Sequence, residues 1–390
     1  MRPRADSSGS LAALLLVAVN LRISITAVSP VLDQLRADLD LSRGVAGLLT
    51  TLPVVCFGVL APVAAYLGRR LGNELALTAS LVCLVVGIVV RSSGGPAYVL
   101  LGTLLLGTGI AVGNILVPAL VKRDLSFMAG TAMALYTTCL TGGAALAAAG
   151  TAALAAAGWG WRPALAAGAA PALVATVVFG LWAHRRHSRG NGPPAVTLRG
   201  AGRVWRSATA WQLAVFMGGQ SLLFYSVLAW LPALLQDRGV SLAVSGGMLS
   251  LYNLLGIAGA LVLPPLAARR PDQRVPAFLT AAGWVIGLGG LWLVPGWYVG
   301  WTVLLGLTQG AGIAMALTLI VLRARDSDVA RELSGMVQMT GYLLAASGPL
   351  VVGALRDRSG DWAWSLAALL AVAGAMLVAA DGAGRHRVVG

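Results

Sequence analysis

Charged residues are scarce in this sequence. They make up 11% of its 390 residues, and only 14 of them are acidic. Ordinary soluble domains carry about 25% charged residues, so this composition excludes a soluble enzyme and a disordered chain. The chain also has only three cysteines, too few for a disulfide scaffold. Cys56, Cys83 and Cys139 all lie inside apolar runs and are interpreted as small core residues.

Apolar residues are abundant instead: they form 58% of the chain, and the mean hydropathy is +0.82. A bilayer core of about 30 Å needs roughly 20 residues of helix. Runs of that size predict an all-α membrane protein with twelve transmembrane helices. They lie at 11–32, 45–67, 74–93, 97–121, 126–157, 163–183, 209–235, 243–267, 275–295, 297–322, 332–355 and 362–380. The first run is too long for a signal peptide and is kept as a helix.

The distribution of Lys and Arg predicts the orientation. With the N-terminus placed inside, the inner segments carry 20 basic residues and the outer ones 7, among which Arg91 is counted. Because cytoplasmic loops carry the excess of positive charge, both termini are expected in the cytoplasm. The protein itself is expected in the cytoplasmic (inner) membrane. The basic residues form short clusters rather than a continuous face, so no nucleic-acid partner is expected.

The chain repeats itself with an offset of about 202 residues. This offset separates Pro30 from Pro232 and Pro62 from Pro264, and it also separates the Arg-Asp pairs that begin at 123 and 325. Residues 1–183 and 209–390 are therefore predicted to be two six-helix bundles, joined by a basic cytoplasmic linker at 184–208. Two such halves describe the major facilitator architecture, in which the substrate is expected near the midplane and access alternates by rocking.

Arg22 is the first candidate site residue, because it falls inside the first predicted span. An arginine at the bilayer centre costs about 2.5–3.5 kcal/mol on insertion scales, and intramembrane charges are by default functional. All Asp and Glu lie in loops or at span ends, so the cargo itself is a candidate for the counter-charge of this planar five-donor group. The alternative is that Arg22 bonds helix-end carbonyls or water and fixes packing.

Several uncharged polar and aromatic residues within the spans could line a cavity with Arg22. Each could equally serve interhelical hydrogen bonding, worth about 0.6 kcal/mol on average. Together they suit a small planar anion or a polar heterocycle better than a bulky lipophilic cation. They are Thr26, Asn114, Tyr136, Gln220, Ser221, Tyr225, Asn253, Gln338 and Tyr342.

The sequence has no spacing typical of metal ligands, no nucleophile constellation and no phosphate-binding loop. No enzyme activity, metal or cofactor is therefore expected. The spans also contain no central carboxylate or histidine of the kind that proton-coupled carriers use as a relay. Uniport, exchange, or entry of a proton with a weak-acid substrate is favoured over such a relay.

The stretch APVAAYLGRR at 61–70 resembles the major facilitator motif G-x-L-x-D-R-x-G-R-R. Gly68, Arg69 and Arg70 match it, whereas Ala65 and Tyr66 replace its Asp and first Arg. Together with the stretches NLRISITAVSPVL (20–32), LLTTLPVVCFGVLAP (48–62), QSLLFYSVLAWLPALLQDRGVS (220–241) and GYLLAASGPLVVGALRD (341–357), it makes the chain similar to the cyanate permease and 2-nitroimidazole transporter family.

The resemblance implies a monomeric, twelve-helix inner-membrane carrier of small polar or anionic solutes. Gly68, Arg69 and Arg70 would act in its cytoplasmic gate, and Arg22, Gln220, Ser221 and Tyr225 would face its central site. The predicted function is secondary active or facilitative transport of a cyanate-like anion or nitroimidazole-like heterocycle. The alternatives are a multidrug efflux transporter and a membrane sensor that binds a ligand on the carrier fold without transporting it.

Overall fold

The computed structural model describes residues 5–41, 43–188 and 204–389, and almost all of them are helical. The helices, in chain order, are α1 (Ala5–Thr26), α2 (Leu32–Leu39), α3 (Arg43–Val59), α4 (Ala61–Leu71), α5 (Asn73–Ser93), α6 (Pro96–Asp124), α7 (Ala129–Ala156), α8 (Trp161–Ala166), α9 (Ala169–Ser188), α10 (Ala208–Gln236), α11 (Leu242–Ala268), α12 (Arg274–Leu293), α13 (Tyr298–Arg323), α14 (Ser327–Ser359) and α15 (Ala363–Gly384). One parallel β-bridge joins Ala324 to Val389.

Within the described residues, eleven helical segments are long and apolar enough to cross a membrane, and a bent pair supplies a twelfth. The all-α membrane fold is thereby confirmed. The bent pair is Leu52–Val59 with Ala61–Leu71, whose axes meet at 56°. The second predicted span, 45–67, is therefore not one continuous helix. Pro62 explains the break, because a proline cannot donate to the carbonyl four residues earlier and its ring clashes with it.

The first candidate span, Ser7–Val31, lies close to the predicted 11–32, but it is not α-helical throughout: α1 ends at Thr26 and a short 3₁₀ turn, Ser29–Val31, follows it. Pro30 lies in that turn. A proline at this position would remove the backbone hydrogen bond to the Thr26 carbonyl if the helix continued, so the chain leaves the helix before it.

The described residues form two compact units. Unit 1 comprises 5–125 with 138–188, and unit 2 comprises 126–137 with 204–389. Residues 189–203, which form most of the predicted linker, lie outside the part of the chain that is described.

Glycines bring the helices of unit 1 into close contact. A Cβ on Gly87 of α5 would lie 2.6 Å from the backbone nitrogen of Leu106, and one on Gly109 of α6 would lie 2.6 Å from the Ser80 carbonyl oxygen. Lipid tails are as apolar as leucine, so helices in a bilayer associate through such close packing rather than through the hydrophobic effect. The pairing of α5 with α6 rests on these small residues.

A cluster of one aspartate, one tryptophan and one arginine joins two helices of unit 1, α2 and α8. The Trp161 indole donates to Asp38 Oδ2 at 3.0 Å, and Arg162 Nη1 donates to the same oxygen at 2.7 Å. Both hydrogen bonds lower the pKa of Asp38, and the one from Trp161 has the larger effect. The cluster therefore connects α2 with α8.

Unit 2 repeats this arrangement. Arg356 Nη2 donates to Asp237 Oδ2 at 2.8 Å, and the Trp362 indole donates to that oxygen at 2.9 Å. The hydrogen bond from Arg356 has the larger effect and that from Trp362 the smaller; both lower the pKa of Asp237. The cluster connects the end of α10 with α14 and the start of α15, and it reproduces the Asp, Trp and Arg chemistry of unit 1.

Candidate functional site

In unit 1, helix α1 packs closely against glycines of two neighbouring helices. A Cβ on Gly113 of α6 would lie 2.6 Å from Leu21 Cδ2, and one on Gly143 of α7 would overlap the carbonyl of Val19. Both contacts fall within the turn that precedes Arg22. The backbone that carries this arginine is therefore held by α6 and α7.

Arg22 is half-buried in this position. One turn further along α1, the Thr26 hydroxyl donates to the Ala144 carbonyl oxygen at 2.9 Å and lies 3.1 Å from the Arg22 carbonyl oxygen. Thr26 thus bridges α1 to α7, and its hydroxyl is engaged in packing. Asn114, which follows Gly113 on α6, is 5% exposed.

Unit 2 contains a chain of hydrogen bonds through four helices. Trp284 of α12 donates its indole N–H to Gln220 Oε1 at 2.7 Å, and Gln220 Nε2 donates to the Gln309 carbonyl oxygen at 2.8 Å. Gln309 Nε2 in turn donates to the Tyr252 carbonyl oxygen at 3.4 Å. Gln220 therefore joins α10 to α12 and α13, and the chain continues into α11.

Trp284 was not among the predicted site residues, although the sequence carried a signal for it. It lies near the middle of α12 rather than at a span end, where membrane tryptophans are enriched. A tryptophan at that depth needs a hydrogen-bond acceptor for its N–H. Gln220, the polar residue predicted in α10, is that acceptor.

An aromatic group lies beside this chain in unit 2. Tyr225 is half-buried, and its ring meets that of Phe224 edge-on, with centroids 5.0 Å apart. Phe224 also stacks on Tyr252 at 6.2 Å. Ser221, one turn before Tyr225, is 3% exposed. Its hydroxyl is buried without a hydrogen-bond partner in the described structure.

The remaining predicted residues of unit 2 lie on α7, α11 and α14. Asn253 donates its amide to the Leu249 carbonyl of its own helix at 2.9 Å. Gln338 donates to Ser334 Oγ at 2.8 Å. Tyr136, in the part of α7 that belongs to unit 2, is 2% exposed, and Tyr342 is 5% exposed.

The predicted gate residues lie at the end of α4. Gly68 is buried, Arg69 is half-buried and Arg70 is exposed. The Arg70 guanidinium carbon lies 5.3 Å from the centroid of the Tyr66 ring, and that of Arg69 lies 6.0 Å from it. Tyr66 thus holds both cations by cation–π contact at a position where the motif ordinarily has an arginine.

Salt bridges join the helices of unit 1 on the side where α1 begins. Arg123 Nη2 lies 2.6 Å from Glu74 Oε1, and Arg186 Nη2 lies 2.7 Å from Asp124 Oδ1. Arg186 also donates to the Ser10 hydroxyl at 3.1 Å. This network ties α1, α5, α6 and α9 together next to the α4–α5 turn.

Arg91 was counted with the outer segments, and its burial was not predicted. It lies inside α5 and is 1% exposed. Its Nη1 donates to the Ser24 carbonyl oxygen of α1 at 2.6 Å. The sequence missed this burial because Arg91 lies only two residues from the end of a span, where a long cationic side chain ordinarily reaches the interface.

Eleven or twelve apolar helices, glycine-mediated helix pairs and an internal repeat define a multi-pass helical membrane protein. The family model of the Major Facilitator Superfamily matches residues 14–349, and the chain belongs to that superfamily.

Relatives of this chain are transporters. It is 39% identical to the uncharacterized transporter YycB of Bacillus subtilis, over 96% of this chain and 93% of the relative. It is 36% identical to the 2-nitroimidazole transporter of Escherichia coli, over 97% and 96% respectively. It is 32% identical to the cyanate transport protein CynX of Escherichia coli, over 94% of each.

The fold matches solved structures of the superfamily. A structure of the proton:xylose symporter XylE superposes with a TM-score of 0.73, covering 96% of this chain and 94% of that one at 14% identity. The family and fold are those of transporters. The chain is accordingly a multi-pass membrane protein that transports a small solute, which confirms the predicted family, fold class and general function.

Proposed function

We propose that this protein carries a small anion or a polar heterocycle across the cytoplasmic membrane by alternating access, as a monomer with both termini in the cytoplasm. Two relatives covering nearly the whole chain support this substrate class, since their names specify 2-nitroimidazole and cyanate. Both compounds are small, planar and rich in hydrogen-bond acceptors. The excess of Lys and Arg on the side of the termini supports the orientation.

The observation that carries the proposal is the placement of Arg22. Its helix is fixed on both sides by Gly113 and Gly143, so the guanidinium is presented from a rigid backbone. The side chain is half-buried within the span Ser7–Val31. A planar fork of N–H donors in such a place can give two parallel hydrogen bonds to a nitro group, or charge-assisted hydrogen bonds to one end of a linear anion such as cyanate.

In unit 2, we assign the further contacts of the cargo to Ser221 and Tyr225. The Ser221 hydroxyl is buried without a partner, and Tyr225 supplies an aromatic face. Gln220 acts as a positioning residue instead, because both ends of its amide are hydrogen bonded to α12 and α13. The end of α4, with Gly68, Arg69 and Arg70, acts in the gate on the cytoplasmic side.

The test is uptake of labelled cyanate and labelled 2-nitroimidazole into proteoliposomes that contain the purified protein. Arg22→Ala is expected to abolish uptake of whichever compound the wild type carries. Arg22→Lys retains the charge but loses the fork, so it is expected to transport at least tenfold more slowly. Arg358→Gln, at an exposed position near the end of α14, is the control and is expected to transport normally. Wild-type uptake by Arg22→Ala would remove Arg22 from the site.

A further inference from the structure

Arg91 is a buried cation with one hydrogen bond. Its side chain is 1% exposed, and Nη1 donates to the Ser24 carbonyl oxygen. Its Nε and Nη2 are buried without a hydrogen-bond partner within the described residues. A guanidinium has five N–H donors. Within the described structure, most N–H donors of the Arg91 guanidinium are therefore without an acceptor, although the side chain is buried from water.

The backbone under Arg91 is fixed by the α5–α6 contact. A Cβ on Gly102 of α6 would overlap the backbone nitrogen, Cα and Cβ of Arg91. One turn earlier, Gly87 approaches α6 equally closely. The guanidinium therefore extends from a closely packed backbone toward α1, where it meets the Ser24 carbonyl oxygen.

The carboxylates of unit 1 that form described salt bridges are paired with other arginines. Glu74 and Asp124 bind Arg123 and Arg186, and Asp38 binds Arg162. None of these bridges includes Arg91. Removing a charge from water without an anion is costly, and a charged donor without an acceptor adds to the cost.

Ser24, whose carbonyl oxygen accepts from Arg91, carries a second buried donor. Its side chain is 1% exposed and its hydroxyl has no partner in the described structure. Ser24 lies two residues before the end of α1 at Thr26. A guanidinium and a hydroxyl that can both donate are together suited to binding an anion.

We propose that Arg91 and Ser24 form an anion-binding site of their own, which takes a small monovalent anion of the size of chloride or nitrate. The bound anion supplies the counter-charge that none of the described salt bridges of unit 1 gives to Arg91. The site does not depend on the assignment of Arg22, since it lies on the other side of the final turn of α1 and is built from α5. Anion binding at Arg91 stabilises the end of α1 that carries the cargo arginine.

The experiment is thermal unfolding of the purified full-length protein in detergent, with sodium gluconate replaced stepwise by sodium chloride or sodium nitrate at constant ionic strength. The wild type is expected to show a rise in unfolding midpoint that saturates with the small anion. Arg91→Gln is expected to lose this rise, and Ser24→Ala to shift it to about tenfold higher anion concentration. Arg358→Gln is expected to behave as the wild type.

Arg22→Gln separates this site from the proposed cargo site. It is expected to lose uptake and yet to keep the saturable stabilisation by chloride. If Arg91 only caps α1, Arg91→Gln will lower the midpoint equally in gluconate and chloride and keep the rise, which would overturn the proposal. Absence of any saturable rise in the wild type would overturn it as well, without affecting the uptake test of Arg22.

Discussion

At the scale of single residues, the buried side-chain amide of Gln220 in unit 2 depends on its hydrogen-bond partners. Its oxygen accepts from Trp284 at 2.7 Å, and the exposed fraction of Trp284 is 0%. In a dry interior, a polar group that loses its partner has no water to replace it. The tryptophan and the glutamine therefore depend on each other, although 64 residues separate them in the sequence.

We predict that Trp284→Phe lowers the free energy of unfolding by about 1–3 kcal/mol, because the carbonyl of Gln220 loses its donor. Thermal unfolding of the purified protein measures the change. Trp292→Phe is the matched control, since Trp292 belongs to the same helix and is 37% exposed. Equal effects of the two substitutions would show that ring size, rather than the hydrogen bond, matters.

A second residue-scale prediction concerns acid stability. Because its folded-state pKa is depressed, Asp38 contributes stability above the unfolded pKa of about 3.9, and this contribution is lost as the pH falls. Asp38→Asn should therefore have a lower unfolding midpoint than the wild type at pH 7, with the difference narrowing below about pH 4. Asp40→Asn, at a neighbouring exposed position, is the control; a difference that widens in acid would contradict the prediction.

At the residue scale, composition marks unusual residues, whereas packing between distant helices leaves no trace in it. Arg22 could be singled out because an arginine in the middle of an apolar run is unusual in any context. The burial of Arg91 depends on Gly87 and Gly102, which let α6 approach α5. No local pattern around residue 91 reports that approach. The use of Gln220 in packing likewise depends on a tryptophan from a distant helix.

At the scale of helices, α1 is positioned by its contacts with α6 and α7. Gly143 approaches Val19 so closely that a side chain there would displace α1, whereas a Cβ on the adjacent Gly142 would meet nothing within 4 Å. The two neighbouring glycines thus differ entirely in their surroundings. They give a test of the helix contact that needs no other change to the protein.

We predict that Gly143→Val destabilises the protein by about 1–3 kcal/mol or more, since an added side chain in a filled contact forces a backbone shift. Gly142→Val, with the same chemistry one residue earlier, should cost far less. The yield of monodisperse protein and its unfolding midpoint measure both. Comparable losses for the two variants would indicate an effect of helix propensity rather than of the α1–α7 contact.

The number and order of the membrane spans, with the bent pair counted as one, followed from hydropathy, because a bilayer imposes a minimum length on every span. The positions at which the helices end could not be predicted from hydropathy. Pro30 and Pro62 lie inside apolar runs, and hydropathy does not register that each interrupts backbone hydrogen bonding. The first span thus ends at Thr26 as a helix, and the second bends at 56°.

At the scale of the whole molecule, the described carboxylates lie near helix ends. Glu74 is the second residue of α5 and Asp124 the last of α6, and both are held in salt bridges. Asp326 caps the start of α14 by accepting from the backbone of Asp328 and Val329. Among the described residues, these three carboxylates thus fix helix ends, by salt bridges or by capping.

We predict that transport does not need a protein-borne proton relay. Exchange of labelled for unlabelled substrate across proteoliposomes should proceed at the same rate with and without a protonophore. Replacement of Glu74 by Gln should slow transport only as far as it destabilises the protein. Loss of exchange on collapsing the proton gradient, for a substrate that is not itself a weak acid, would contradict this prediction.

Each unit closes one Asp–Trp–Arg cluster on its own helices, around Asp38 in one case and Asp237 in the other. Each cluster lies within a single unit, so the proposed alternating-access movement would not need to break either one. Reinforcement there should therefore prolong the life of the protein outside the membrane without slowing its turnover. These two points are the rational places to begin when a robust variant is needed for crystallisation or for immobilised transport assays.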